Sequence, residues 1–416
     1  MRSSPFWLLF AAFMIGLDIY VFQIVKFLMH SAAPRTKGIV SITYWVVSVL
    51  VIVLLFLLPY LNLDNLQKGL RSTVFAVLVG LFILKLFAAI FFLIDDIRRG
   101  IQWLWGKIFF QNVEAGGVQS SPEISRSLFL SWLGIAVGGG LFTTLIYGFS
   151  NKYNYKVKRV PLSFPNLPEA FKGLRIVQIS DIHSGSFTDT DAVRKGVEKI
   201  MALKPDLILF TGDLVNNKYE EMLPYMDVFN KLSAPMGVYS IFGNHDYGDY
   251  TAWDSPEQKR DNLEKLKGVH AKLGWRLLLD EHVALQKNGE GFALIGIQNW
   301  SALKNFARYG NLPKAYAGAE KYPFKILMSH DPTHWDAEVR PKFGDIDLTL
   351  AGHTHGFQFG VEIPGFRWSP VQYVYRQWAG LYREGKQVIY VNRGYGFIGY
   401  PGRVGILPEI TLLELS

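Results

Sequence analysis

The chain has 416 residues and no cysteine, which excludes a disulfide scaffold, a thiolate metal site and cysteine nucleophilic catalysis. Its 43 Lys and Arg against 35 Asp and Glu are scattered, with no arginine-rich arm or nucleic-acid fold motif, favouring a membrane surface or a phosphate-bearing partner over nucleic acid. Only 19% of residues are charged while 50% are apolar and 15% aromatic, a balance that places part of the chain in a bilayer.

Four apolar segments fill the first third, at about 6–28, 38–61, 72–94 and 127–149. Each offers the roughly 20 residues that a helix needs to cross a hydrocarbon core. A cleaved signal peptide explains one such segment and not four, and runs such as Trp45 to Pro59 have no polar face. In the fourth, Gly134 and Gly138 are spaced to let another helix approach closely. Asp18 and Lys85 lie near the middle of the first and third segments, where an unpaired charge costs at least ~2.5 kcal/mol. Both fall at a similar depth in spans that cross in the same direction, so an intramembrane ion pair is expected. The alternative is a role in substrate passage or proton movement.

Residues 96–111 interleave Ile97, Ile101, Trp103, Leu104, Trp105 and Ile108 with Arg98, Arg99 and Lys107. That pattern suits a short interfacial helix in the headgroup region, or one packed on a catalytic domain. Lys and Arg flanking the four segments divide evenly between the two sides, so the positive-inside rule assigns no orientation. An even number of spans nonetheless puts the N-terminus and the C-terminal domain on one face.

After residue 150 the pattern changes. Residues 151–173, rich in Lys, Pro and aromatics, read as a linker leading into a domain at 174–416. Strands are expected at 174–180, 206–211, 237–242, 292–297, 324–329, 347–351, 387–391 and 409–415, with helices at 189–203 and 219–232 between them. The β-α-β alternation indicates a layered α/β domain, and about 265 residues suffice for a full core.

Potential ligands close five of the apolar runs: Asp181-Ile-His183, Gly212-Asp213, Gly243-Asn244-His245-Asp246, His330, and Gly352-His353-Thr-His355. In open α/β sheets functional residues gather beyond the carboxyl ends of strands, and the glycines allow tight turns that aim ligands into one volume. Carboxylates and imidazoles without thiolate suit Mn, Fe or Zn. A lone histidine in such a loop is more often structural; five clusters in five loops are not explained that way.

These motifs in this order resemble the calcineurin-like metallophosphoesterase superfamily over roughly 174–416. The resemblance implies a four-layer fold, two mixed β-sheets face to face with helices outside, and two divalent metals at one end. Carried over, Asp181, His183 and His355 would hold one metal, Asn244, His330 and His353 the other, and Asp213 would bridge them. Metals so placed can share an attacking hydroxide and clamp the phosphoryl oxygens. His245 resembles the family's non-ligand histidine, which stabilises the transition state or protonates the leaving oxygen, with Asp246 orienting its ring.

Leu-Val-Asn-Asn after Asp213 replaces the Asp-Arg-Gly continuation of protein serine/threonine phosphatases and argues against that activity. Residues 391–415 are similar to a membrane-anchored bacterial phosphodiesterase branch, some relatives of which cleave the pyrophosphate of UDP-linked diacylglucosamine. The branch implies a multi-pass protein of the bacterial cytoplasmic membrane acting on a phosphodiester or pyrophosphate, lipid-linked substrates included. Arg393 has two readings, a phosphate contact and a structural salt bridge. Asp331 reads as a cap, His334 as a neighbour of the site's rim, and His270 and His282 as surface-loop residues. The rival function is a membrane transport or signalling module built on Asp18 and Lys85 and regulated by the hydrolase domain.

Overall fold

A computed structural model describes residues 5–57, 68–109 and 126–416 and divides the chain into two units, Met1–Tyr147 and Gly148–Ser416. The first unit is helical: α1 (Pro5–Leu28), α2 (Pro34–Leu57), α3 (Lys68–Phe109) and α4 (Arg126–Gly148). Among the described residues three helices are long and apolar enough to cross a membrane, Pro34–Leu57, Ala76–Ile108 and Leu128–Asn151. Residues 58–61 of the second expected span lie outside the described residues.

The packing of this unit is inverted relative to a water-soluble bundle. Ile39, Ile42, Val49 and Leu50 of α2 face outward, whereas Asp18, Ser48 and Lys85 are buried. That is the arrangement hydrocarbon favours, because polar groups there must satisfy one another. The structure brings Asp18 and Lys85 together: the Lys85 ammonium donates to Asp18 Oδ1. Ser48 Oγ donates to the same oxygen at 2.8 Å and lies 3.1 Å from Lys85 Nζ, while the Tyr44 hydroxyl donates to the Asp18 carbonyl at 2.8 Å. One polar knot thus ties α1, α2 and α3. On a neighbouring face of α3, a Cβ at Gly138 would lie 2.7 Å from the Leu84 carbonyl oxygen and one at Gly134 would lie 3.0 Å from Phe91 Cβ. The small residues seat α4 directly on α3.

The expected short interfacial helix at 96–111 is not a separate element. Through residue 109 it continues α3, and residues 110–111 lie outside the described residues. Asp95 and Asp96 pair with Arg98 and Arg99 one turn later, which stabilises helix across the expected break, and a single Gly100 does not interrupt it. The resulting 42 residues make a helix about 63 Å long, twice a hydrocarbon core.

The second unit contains two six-stranded mixed sheets. One is formed by β1 (Lys156–Leu162), β2 (Arg175–Ile179), β3 (Leu207–Phe210), β4 (Val238–Ser240) and β5 (Arg276–Leu277), joined by the chain's last strand, β14 (Glu409–Leu415), in the order β1-β14-β2-β3-β4-β5. The other holds β6 (Glu281–Lys287), β7 (Glu290–Gly296), β8 (Lys325–Met328), β9 (Leu348–Ala351), β12 (Gly380–Glu384) and β13 (Gln387–Val391), ordered β12-β13-β9-β8-β7-β6. A separate hairpin, β10 (Val361–Ile363) and β11 (Phe366–Trp368), stands apart from both.

Ile176, Leu209, Leu294, Ile326, Leu350 and Leu413 interlock between the two sheets. On the outer face of the first sheet lie α5 (Thr190–Ala202), α6 (Met226–Phe229) and α7 (Pro256–Lys272); α8 (Leu312–Tyr316) and the turn around Trp335 cover the second. The central strand β3, Leu-Ile-Leu-Phe, is apolar throughout because it is covered on both faces.

All eight expected strands are present, and the differences have local causes. Within 151–173, β1 pairs with β14 in parallel along its whole length; its lysines and Pro161 suit the edge position it occupies. The expected helix at 219–232 is a 3₁₀ run to Tyr225 followed by the single turn of α6, because Pro224 interrupts the α-helical hydrogen bonds. His270 is not on a surface loop: α7 carries it inward, where Nδ1 lies 2.9 Å from Ser240 Oγ. His282 sits in β6, its Nδ1 3.0 Å from the Ala315 carbonyl.

Lys85→Met strands the Asp18 carboxylate inside the bundle and should cost about 3–5 kcal/mol, whereas Asp18→Leu combined with Lys85→Met should cost distinctly less. Unfolding of the full-length protein in detergent measures both; equal losses would count against the pairing.

Candidate metal centre

The five ligand-bearing loops follow β2, β3, β4, β8 and β9. The first three strands are parallel neighbours in one sheet and the last two in the other, so their carboxyl ends open on one edge of the sandwich. The backbone there is unusual: Asp181, His183, Asp213, His353 and His355 all have positive φ, between 48° and 71°. Non-glycine residues in this region cost roughly 1–3 kcal/mol each, and such strain collects at functional sites.

Cross-loop hydrogen bonds hold these conformations. Asp181 N–H donates to the Gly212 carbonyl at 2.9 Å, His183 N–H to Asp213 at 3.1 Å, and Gly352 N–H to His330 at 2.9 Å. Gly212, at φ +98°, has no room for a side chain: a Cβ would lie 2.6 Å from Gly243 N and 2.8 Å from His330 Nδ1. At Gly352 a Cβ would run into Ser180 and the Asp181 carboxylate.

The side chains converge in two groups, Asp181/His183/His355 and Asp213/His330/His353, with the ligand atoms of each within 4.8 Å of one another. Asp213 faces both: its Oδ2 is 3.5 Å from His183 Nε2 and 3.1 Å from His330 Nε2. Asp181 Oδ1 lies 3.3 Å from His355 Nε2. Asn244 joins the second group, its Oδ1 2.8 Å from His353 Nδ1, and the Tyr375 hydroxyl lies 2.8 Å from His353 Nε2.

The donor set fits cations. His183 and His330 have Nδ1 engaged, by Asn216 Oδ1 at 3.1 Å and by the Thr211 carbonyl at 2.7 Å. With a proton on that nitrogen, Nε2 of each ring turns toward the shared volume. His183 Nε2 is buried there without a hydrogen-bond partner, and His330 Nε2 faces the Asp213 carboxylate.

Burial lowers the pKa of His183 to about 3 and of His353 to about 4, leaving both neutral as ligation requires. At His330 burial pulls the same way, but the Asp213 and Asp181 carboxylates outweigh it and raise the pKa to about 10. The cluster thus concentrates enough negative potential to hold positive charge at its centre. Burial opposes ionisation of Asp213, yet His330 and His245 keep its pKa well below the carboxylate range.

A cleft of about 470 Å³ opens over the site. His183, Asp213, Asn244, His245, His353 and His355 line its polar part; Phe306, Phe357, Val371, Val374 and Ile398 are among its apolar walls. Among the described residues its lining includes no Lys or Arg, so phosphate charge there would need another cation.

One expected role is not found. Asp246 does not orient the His245 ring. Its buried carboxylate accepts from the N–H groups of Asp213, Leu214 and Gly243 at 2.8–2.9 Å and of Val215 at 3.3 Å. His245 Nδ1 is held instead by the Asn216 carbonyl at 2.8 Å. Of the two readings of Arg393 the structure shows the salt bridge: the side chain is buried on Glu409 and, at 2.8 Å, on Glu362, and is not among the residues lining the cleft.

His334 is also fully buried rather than at the rim, between Ser329 Oγ at 2.9 Å and Glu338 at 3.1 Å. Asp331 caps its turn, Oδ1 accepting the Thr333 N–H at 2.8 Å. Sequence reasoning missed Asn216, Tyr375 and Arg403. The last donates to the carbonyls of His355 at 3.1 Å and Arg393 at 2.8 Å, bracing the final ligand loop. Asn216 belongs to the stretch after Asp213 that sets this chain apart from protein phosphatases; Tyr375 and Arg403 lie in no motif.

Asp246→Asn would face backbone donors with an amide N–H₂, so it should lose about 2–3 kcal/mol and most bound metal. Thermal unfolding and elemental analysis report these, and an unchanged melting point and metal content would contradict the role given to this carboxylate.

Comparison with known proteins points the same way. A family model described as "Probable Calcineurin-like phosphoesterase, transmembrane domain" matches residues 1–152, and one described as "Calcineurin-like phosphoesterase" matches residues 174–357. Metallophosphoesterase YkuE of Bacillus subtilis is 29% identical over 302 residues, covering 71% of this chain and 98% of the relative. The "Transmembrane protein with metallophosphoesterase domain" of Danio rerio is 29% identical, covering 65% of this chain and 60% of the relative. UDP-2,3-diacylglucosamine pyrophosphatase LpxG of Chlamydia muridarum is 27% identical, covering 57% of this chain and 81% of the relative. With the strand-end aspartates and histidines gathered into two ligand groups, the second unit carries a calcineurin-like phosphoesterase domain, and the chain is a hydrolase of phosphoesters.

Proposed function

We propose that the second unit hydrolyses a phosphodiester or pyrophosphate at a dinuclear centre, with lipid-linked molecules as the favoured substrates. In this reading Asp181, His183 and His355 hold one divalent ion of the Mn, Fe or Zn kind, Asn244, His330 and His353 hold the other, and Asp213 bridges them. The observation that carries it is the pair of ligand groups sharing Asp213 beside a cleft with no Lys or Arg among its described lining residues. Two such ions would activate water and neutralise the phosphoryl oxygens.

The chain's own residues do the rest. His245 lines the cleft, and its Nδ1 is committed to the Asn216 carbonyl, which leaves Nε2 to give a proton to the leaving oxygen. Asp213 Oδ1 accepts the His245 N–H at 2.8 Å, fixing the ring's backbone relative to the bridging carboxylate. Asn244 supplies a neutral oxygen, and its amide donates to the Tyr250 hydroxyl at 2.9 Å.

A lipid-linked substrate is supported by the apolar cleft walls, by the membrane region and by the relative named a UDP-2,3-diacylglucosamine pyrophosphatase. In the same reading α1 is a fourth span, which puts the N-terminus and the catalytic unit on one face of a bacterial cytoplasmic membrane. Asp18 and Lys85 then act as the polar clamp of the bundle, since Ser48 and Tyr44 add hydrogen bonds to the pair.

The test is turnover of bis-p-nitrophenyl phosphate and of UDP-diacylglucosamine by the full-length, Mn-loaded protein in detergent. Asp213→Asn should reduce both by about 10²–10³-fold, the scale of losing one preorganised electrostatic contact, and the lipid should be the faster substrate. Diester activity surviving in Asp213→Asn would overturn the dinuclear reading; a lipid turned over more slowly than the diester would overturn the substrate assignment.

A further inference from the structure

We propose that the hairpin β10–β11 lies in the headgroup layer of the bilayer, docking the catalytic unit on the membrane surface beside its own cleft. The occupant of this surface is lipid. The inference rests on the membrane-crossing region and not on the catalytic reading.

The hairpin is turned inside out for a protein in water. Its register pairs Val361 with Trp368, Glu362 with Arg367 and Ile363 with Phe366, so the apolar pairs share one face and the charged pair the other. The charged face is fastened inward: Glu362 accepts from Arg393 at 2.8 Å and from Lys158 at 3.2 Å, while Arg367 donates to the Ala379 carbonyl. The apolar face is left outside, with Ile363 58% and Phe366 52% exposed. Next to it Tyr373 is 77% and Val374 61% exposed. An isolated two-stranded hairpin is at best marginal in water, and a contiguous exposed apolar patch marks an interaction surface.

Contacts within the same unit connect this patch to the place where the chain leaves the membrane. The candidate span Leu128–Asn151 ends in residues that belong to the catalytic unit, which begins at Gly148. Arg403 N–H donates to the Gly148 carbonyl at 2.9 Å, and the Phe149 ring lies 5.8 Å from Tyr400. The next residue, Val404, exchanges backbone hydrogen bonds with Gln358 and Gly360 at 2.8 and 2.9 Å, and Gly360 leads directly into β10. The end of the membrane helix, the 400–404 loop and the hairpin are therefore consecutive parts of one hydrogen-bonded assembly. Phe357 and Val374 belong both to the exposed patch and to the wall of the cleft, so the patch runs continuously into the site.

The chain has no cysteine, which permits a direct test. Ile363→Cys and, as a control on exposed α7, Glu257→Cys are each labelled with an environment-sensitive fluorophore. The full-length proteins are reconstituted in vesicles of phosphatidylcholine and phosphatidylglycerol, with melting points confirming that both are folded. The label at 363 should shift to the blue and be quenched severalfold more by nitroxide-bearing lipid than the label at 257, and less by aqueous iodide. Iodide access equal to that at 257 would overturn the proposal. So would shielding from both quenchers, which would mean that protein, for example a second copy of the chain, covers the hairpin.

Discussion

The candidate site depends on one buried carboxylate that touches no expected ligand side chain. Asp246 gathers the N–H groups of Asp213, Leu214, Val215 and Gly243, fastening the loop after β3 to the loop after β4. It thereby braces Asp213 at its positive φ, with that residue's carboxylate projecting between two histidine groups. Backbone donors around a buried carboxylate form a stiff support, because each would be costly to leave unpaired. The strain in the ligand loops is offset by hydrogen bonds beneath the site.

The two units solve opposite solvation problems with the same chemistry. In the helical unit, polar groups are drawn inward and tied to one another, while leucine, isoleucine and valine face out. In the α/β unit, apolar strands are buried between layers and charge is placed at edges and strand ends. The hairpin β10–β11 breaks the second rule, showing apolar residues to the outside and its charged pair to the domain. Its continuity with the end of the last candidate span gives that exception a physical reason.

Most of the α/β framework was legible because apolar runs such as Leu-Ile-Leu-Phe are fixed by burial on both faces. The ligand clusters were legible because each closes such a run, and the structure brings them into one volume. What could not be read depends on direction rather than on residue type. Asp246 is adjacent to His245 in sequence, yet the two side chains serve opposite sides of the turn. Arg393 keeps two readings, phosphate contact and salt bridge, until Glu409 and Glu362 are seen to enclose it. Strand β1 was hidden in a linker-like stretch because an edge strand tolerates lysine and proline. The continuation of α3 was hidden because a charged, aromatic segment resembles an interfacial helix until Asp95 and Asp96 are paired with Arg98 and Arg99.

The most direct measurement is the metal content of the purified full-length protein after Mn loading and removal of excess ion. Elemental analysis would be run beside His183→Ala and His330→Ala, which each take one ligand from a different group. Two ions per chain in the parent protein, and fewer in each variant, is the predicted result. A parent protein that retains one ion or none would contradict the dinuclear centre.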